Sequence, residues 1–189
     1  NRPGTATGAP SDRAPGRGAP VPEPQPTPDS AVPLRIPADW EVAVDPAPGT
    51  SLVAREPAAA TTADAADAAS EDAERFRANL VATAVATGGM SFRDWQVGTE
   101  ELLPRVLDDY PAADLERLVI DDRPAGRRLA HHAGPAGEAL TMEQWFPLVE
   151  GIGHTLTFTT ETWRYDELAD LAAAIARTWH PRAGASDAG

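Results

Sequence analysis

The stretch that most constrains the fold is Glu138 to Trp163, EALTMEQWFPLVEGIGHTLTFTTETW, which reads as two β-strands reversing at Glu150-Gly151. In its second arm His154, Leu156 and Phe158 fall on one side and Thr155, Thr157 and Thr159 on the other, the period of two that a strand imposes on its side chains. A two-residue loop that pairs Val149 with Ile152 sets Trp145 opposite Leu156 and Glu143 opposite Phe158. One face of the hairpin is then strongly apolar. The other carries Met142, Phe146 and Leu148 beside the threonines, so it too calls for partial cover, as when helices pack on a sheet.

The remaining chain supplies the sheet and its cover. Residues 1–30, rich in Pro, Gly and Ala with Val21 as their one large aliphatic, read as a disordered tether; PVPEPQPTP within it has the composition of an extended polyproline ligand. Val32, Leu34 and Ile36 alternate, and with Asp39 to Val44 they read as one strand interrupted at Pro37. Pro46 to Gly49 is a turn and Ser51 to Arg55 a second strand. Residues 57–74 are Ala-rich and acidic and lack a large apolar residue, so they read as an insertion unable to bury a face, or as an acidic docking loop. Phe76 to Thr87 is a third strand. Ser91, with Asp94 three residues on, caps a helix whose buried stripe is expected at Phe92, Trp95, Thr99, Leu102, Val106 and Tyr110. Pro104 is expected to kink that helix and Pro111 to stop it. Leu115 to Ile120 and Gly126 to His132 are strands joined across the polar turn Asp121 to Ala125. A last helix, Tyr165 to Trp179, puts Leu168, Leu171, Ile175 and Trp179 on one side, with Asp166, Glu167 and Asp170 early and Arg177 and His180 late, as the helix dipole favours. Residues 181–189 read as a frayed tail. Short connections favour an antiparallel sheet, so the fold class is α+β: an antiparallel sheet packed by two helices, over 31–180.

Composition excludes whole classes of function. The 189 residues include no cysteine, which rules out disulfides, Cys-ligated metal and thiol nucleophiles. All sixteen basic residues are arginine, so lysine chemistry is absent as well, and with the Ala/Gly/Pro bias this points to a GC-rich bacterial genome. A net charge of −13, with the first thirty residues balanced, argues against a nucleic-acid partner, which requires a basic face. No apolar run is long enough for a membrane span, and there is no basic-plus-apolar leader. A cytoplasmic location is expected, or an exported or cell-envelope one if a leader has been removed ahead of Asn1.

Candidate chemistry is sparse. His131 and His132 project to opposite faces of a strand and cannot share an ion, though one of them could meet His154 across the sheet. Without an HExxH spacing, no metal is expected and no cofactor. Ser91 is a helix cap rather than a nucleophile, and Asp108-Asp109 and Asp121-Asp122 are turn acids. No catalytic residue is assigned. The tryptophans remain: core packing is the ordinary account of Trp40, Trp95, Trp145, Trp163 and Trp179 alike, and the alternative is that one or two form an exposed recognition patch, for which Trp95, Trp145 and Trp163, with His154, are the candidate partner-binding residues.

Ile36-Pro37-Ala38-Asp39-Trp40, Gly126-Arg127-Arg128 and Tyr165-Asp166-Glu167-Leu168, in that order over Val32 to Trp179, resemble the PsbP-like superfamily, which includes the Mog Ran-binding protein, DcrB and the actinobacterial LpqN/LpqT lipoproteins. The resemblance implies an antiparallel sheet between helices, an actinobacterial source, and a binding or assembly role without a shared catalytic set. The chain departs from the lipoproteins in lacking an acylated cysteine, and it carries the insertion after Pro57. The expected function is a noncatalytic protein-binding or scaffolding domain that docks an unidentified protein partner. The competing expectation is a small-molecule carrier or hydrolase with a pocket between sheet and helix.

Overall fold

The computed structural model describes residues 24–26, 34–58 and 75–182. Most of the tether, the insertion from 59 to 74 and the tail from 183 onward lie outside the described residues. The strands are β1 (Pro24–Pro26), β2 (Arg35–Pro37), β3 (Glu41–Ala47), β4 (Thr50–Arg55), β5 (Asn79–Ala86), β6 (Ala112–Ile120), β7 (Arg123–Ala133), β8 (Ala139–Val149) and β9 (Ile152–Glu161). The helices are α1 (Phe92–Val106), between β5 and β6, and α2 (Tyr165–Arg177), which follows a short 3₁₀ turn at Thr162–Arg164.

Seven strands form one antiparallel sheet in the order β3-β4-β5-β9-β8-β7-β6. At its centre the β8-β9 hairpin has the register read from the sequence: Val149 pairs with Ile152, Trp145 with Leu156 and Glu143 with Phe158. Glu150 and Gly151 both stand at positive φ, 50° and 78°, the twist a two-residue hairpin requires. The β6-β7 turn is tighter than expected. Asp121 and Asp122 alone make it, at φ 49° and 59°, because a short polar side chain tolerates the left-handed region, and the strands extend to Ile120 and Arg123.

The expected single strand from Val32 to Val44 is instead two strands in different sheets. β2 pairs with β1, β3 pairs with β4, and between them the Trp40 N–H donates to the Pro37 carbonyl at 3.1 Å in a turn that redirects the chain. Pro37 has no N–H to continue a ladder, which makes it the point of departure.

The two helices take opposite faces. α2 seals the main core: Leu171, Ala172, Ile175 and the following Trp179 are buried against Leu52, Leu80, Leu156 and Phe158. Burial of each such leucine or phenylalanine contributes roughly 1.5–3 kcal/mol. Ser91 caps α1, accepting the Asp94 N–H at 3.2 Å, as its spacing predicts. The stripe of α1, however, is rotated from the expected one: Leu102 and Val106 are exposed, while Phe92, Trp95, Thr99, Leu103 and Leu107 face the sheet half-buried. The helix runs through Pro104 to Val106, since a proline in the last turn removes one hydrogen bond close to where the ladder ends.

Two glycines and one arginine fix that seating. A Cβ on Gly153 would lie 2.5 Å from the Trp95 ring and one on Gly126 2.4 Å from Phe146, so the aromatic layer under α1 rests directly on backbone. Arg128, 1% exposed, donates to Glu100 of α1 through Nε at 3.0 Å and through Nη2, and to Gln144 through Nη1. Its guanidinium lies 4.7 Å from the Phe146 ring centroid.

Candidate functional site

The candidate site follows from the two sides of α2. Leu168, Leu171 and Ile175 bear on the sheet, whereas the neighbouring side carries Ala169 and Ala173, with Ala176 at the border, packed against the core and lining the same space. Methyl groups cannot span the gap to β6, β7 and β8, and a groove of about 580 Å³ remains, open to solvent. Leu118 and Ile120 form its strand wall, and Trp145 and Trp179 close its depth.

At its floor Glu143, only 2% exposed, is fully engaged: Oε1 accepts from Arg127 Nε at 2.5 Å and Oε2 from the Tyr165 hydroxyl at 3.0 Å. Arg127 Nη1 also lies 3.3 Å from Glu116 and 3.6 Å from Asp114 on β6. Burial works against the Arg127 charge, but the hydrogen bond and field of Glu143 outweigh it and hold the guanidinium above its ordinary pKa. Burial first, and then the adjacent Glu143 charge, push the Tyr165 hydroxyl up to about 12. With both carboxylate oxygens committed and the phenol fixed as a donor, the floor is a rigid polar knot rather than an acid/base pair. Asp121 and His180, 3.1 Å apart, line the same groove.

β6 is an edge strand: among the described residues it has a strand partner, β7, on one side alone. On its other face lies a second depression, of about 770 Å³, between β6 and the start of α1, lined by Phe92, Arg117, Val119 and Pro124. Val119, 71% exposed, and Leu115 point out along this face. The free edge thus runs between two grooves.

The structure distributes the aromatic candidates rather than gathering them. Trp145 is almost buried and lines the α2 groove. Trp95 is half-buried on the opposite face, edge-on to Phe92 and Phe146. Trp163, 62% exposed, sits in the 3₁₀ turn with the Arg75 guanidinium 4.6 Å from its ring centroid, bordering a separate depression with Trp40 and Phe76. His154 is half-buried, with Nε2 unpartnered among the described residues; burial and the nearby Arg123 charge lower its pKa. His131 Nδ1 pairs with Thr141 Oγ1 at 2.9 Å and His132 Nδ1 with the Ala133 carbonyl at 3.0 Å. Among the described residues no group of His, Asp or Glu is arranged to hold a metal, and no helix is long and apolar enough to cross a membrane.

Sequence reasoning missed the Arg127–Glu143–Tyr165 knot and the alanine side of α2. The signal for the first was present: a register that sets Glu143 against Phe158 on an apolar face demands a buried partner for the carboxylate.

No family model matches the chain, and no curated protein matches it. Solved structures do. The Pseudomonas aeruginosa protein PA94, of unknown function and described as a candidate regulator, aligns at TM-score 0.57 and 16% identity over 80% of this chain and 98% of its own. Cyanobacterial PsbP (CyanoP) of Synechocystis sp. PCC 6803 aligns at 0.56 and 14%, over 88% and 97%. LpqN of Mycobacterium tuberculosis, described as involved in cell envelope biogenesis, aligns at 0.56 and 16%, over 82% and 87%. The chain adopts the PsbP-like α+β fold and is structurally similar to LpqN.

Proposed function

We propose that this domain is a noncatalytic accessory module that docks a protein partner by taking an extended segment of it onto β6. The observation that carries the proposal is the position of that edge, unpaired on its outer side among the described residues and flanked by a groove on each face. An added strand gains main-chain hydrogen bonds along an edge and gains specificity by sending alternate side chains into pockets beside it. The committed Glu143 carboxylate argues for binding rather than catalysis, and the open groove suits a chain segment better than an enclosed small molecule. Trp145 stands at the depth of the groove as the anchor wall; Trp163 offers a second, separate aromatic contact.

Panning a display library of short extended peptides against the domain tests this. Enriched peptides are expected to bind Ala173→Phe, which fills the α2 groove, about tenfold more weakly than wild type, the loss of one well-buried contact. The urea midpoint of the variant should be unchanged. Absence of enrichment, or binders indifferent to both Ala173→Phe and Val119→Asp, would refute docking at this edge.

A further inference from the structure

We infer that the segment taken up by β6 carries apolar residues and then basic ones in strict alternation, an inference that rests on the docking reading above. The side chains of β6 that share a face with the α2 groove are Asp114, Glu116, Leu118 and Ile120, in that order along the strand. A strand laid antiparallel to β6 places its own alternate side chains opposite these four. Those opposite Ile120 and Leu118 enter the space left by Ala169 and Ala173; those that follow meet carboxylates.

Asp114 and Glu116 are each about half exposed, at 49% and 48% of the side chain, and their claim on Arg127 is weak, 3.6 and 3.3 Å, beside its 2.5 Å bond to Glu143. Three carboxylates thus share one guanidinium, and the outer two face the path of the incoming strand. The Asp114 carboxylate also accepts the Leu115 N–H at 2.9 Å, which covers the edge at that end and leaves Glu116 to Ile120 as the run open for pairing.

A second copy of this chain is a poor occupant. A two-fold centred on Glu116 or on Arg117 sets like charges directly opposite, and every copy brings the same net charge of −13. The occupant that fits is a basic extended segment of another protein, patterned apolar, spacer, apolar, spacer, Arg, spacer, Arg. The spacers lie over Val119, Arg117 and Leu115 on the other face, where threonine fits.

The test compares capped Val-Thr-Ile-Thr-Arg-Thr-Arg with Val-Thr-Ile-Thr-Glu-Thr-Glu by fluorescence anisotropy against the full chain. The basic peptide is expected to bind about tenfold tighter at low salt, from two charge pairs turned from repulsion to attraction, with the preference shrinking as salt is added. N-methylation of its edge-facing amides should abolish binding, and Asp114→Asn with Glu116→Gln should erase the preference while leaving the apolar contribution. Equal affinities that are both lost in Ala173→Phe overturn the charge inference and leave docking standing. Library-selected peptides that bind while neither of these does, or a chain that self-associates through β6 and excludes the basic peptide, also overturn it. If the library yields no binder either, both readings fall.

Discussion

His154 lies on the apolar side of β9 with Leu156 and Phe158, yet its buried Nε2 has no hydrogen-bond partner among the described residues. Burial and the Arg123 charge both disfavour the imidazolium, so the folded pKa lies below the ordinary 6.5. The sign follows from linkage: below about 6.5 the unfolded chain takes up a proton that the folded chain resists, so stability present at neutral pH is lost as pH falls toward the folded value. Urea midpoints measured between about pH 7 and pH 5 should therefore decline, and His154→Phe should flatten that slope. An unchanged slope in the variant would assign the decline to other groups. Glu56, whose hydrogen bonds and ion pair with Arg164 outweigh its burial and lower its pKa, acts in a separate, more acid window below its ordinary 4.5. At this scale the sequence was half legible. The period of two put His154 on the buried side, but the Arg123 field comes from a turn tighter than Asp121 to Ala125 suggested, and no local pattern reports it.

α1 shows why an element's existence can be legible and its rotation not. Ser91 and Asp94 marked its start correctly, because a cap is a local event. From Thr99 a step of three reaches Leu102 and a step of four Leu103, and both satisfy a helical period. The choice is made from outside the helix, by Arg128 drawing Glu100 inward and by two glycines admitting Trp95 and Phe146. α1 buries no residue fully, so this seam governs its hold on the sheet. Gly126→Ala tests it. The new methyl would press on the Phe146 ring, which stacks on Phe92 and meets Trp95 edge-on, and overpacking of this kind costs about 1–3 kcal/mol. Hydrogen exchange should show α1 amides losing protection before those of β5 and β9. Uniform loss across the sheet would mean that α1 and the sheet open together and that the seam is no separate unit.

An open antiparallel sheet has two edges to guard, and here they are guarded differently. β3 carries a register break between Val44 and Ala47, with Asp45 at φ 48° and Pro46 within it, so an approaching strand meets a bent edge lacking a donor. β6 runs regularly from Asp114 to Ile120 and leaves Val119 bare, so no bend or bulge guards it there and the carboxylates of Asp114 and Glu116 are its candidate guard. The antiparallel order was readable from short connections and the central hairpin register, but which strands would end at the edges was not. That depends on β9 pairing with β5 across the whole length of α1 and the β6-β7 hairpin, a contact between residues far apart in sequence. If Asp114 and Glu116 are what keep a regular, partly apolar edge from pairing with itself, then Asp114→Asn with Glu116→Gln should convert it into a self-complementary one. Sedimentation velocity at protein concentrations well above those of the anisotropy titration should then show the double variant associating more than wild type, while at the concentrations of the titration both leave β6 open to peptide. Adding Val119→Lys should reverse that association, since a lysine on the outward face restores repulsion and leaves the Glu143 knot in place. Association that persists with Val119→Lys would place the contact elsewhere on the surface and remove β6 as the strand that charge alone holds open.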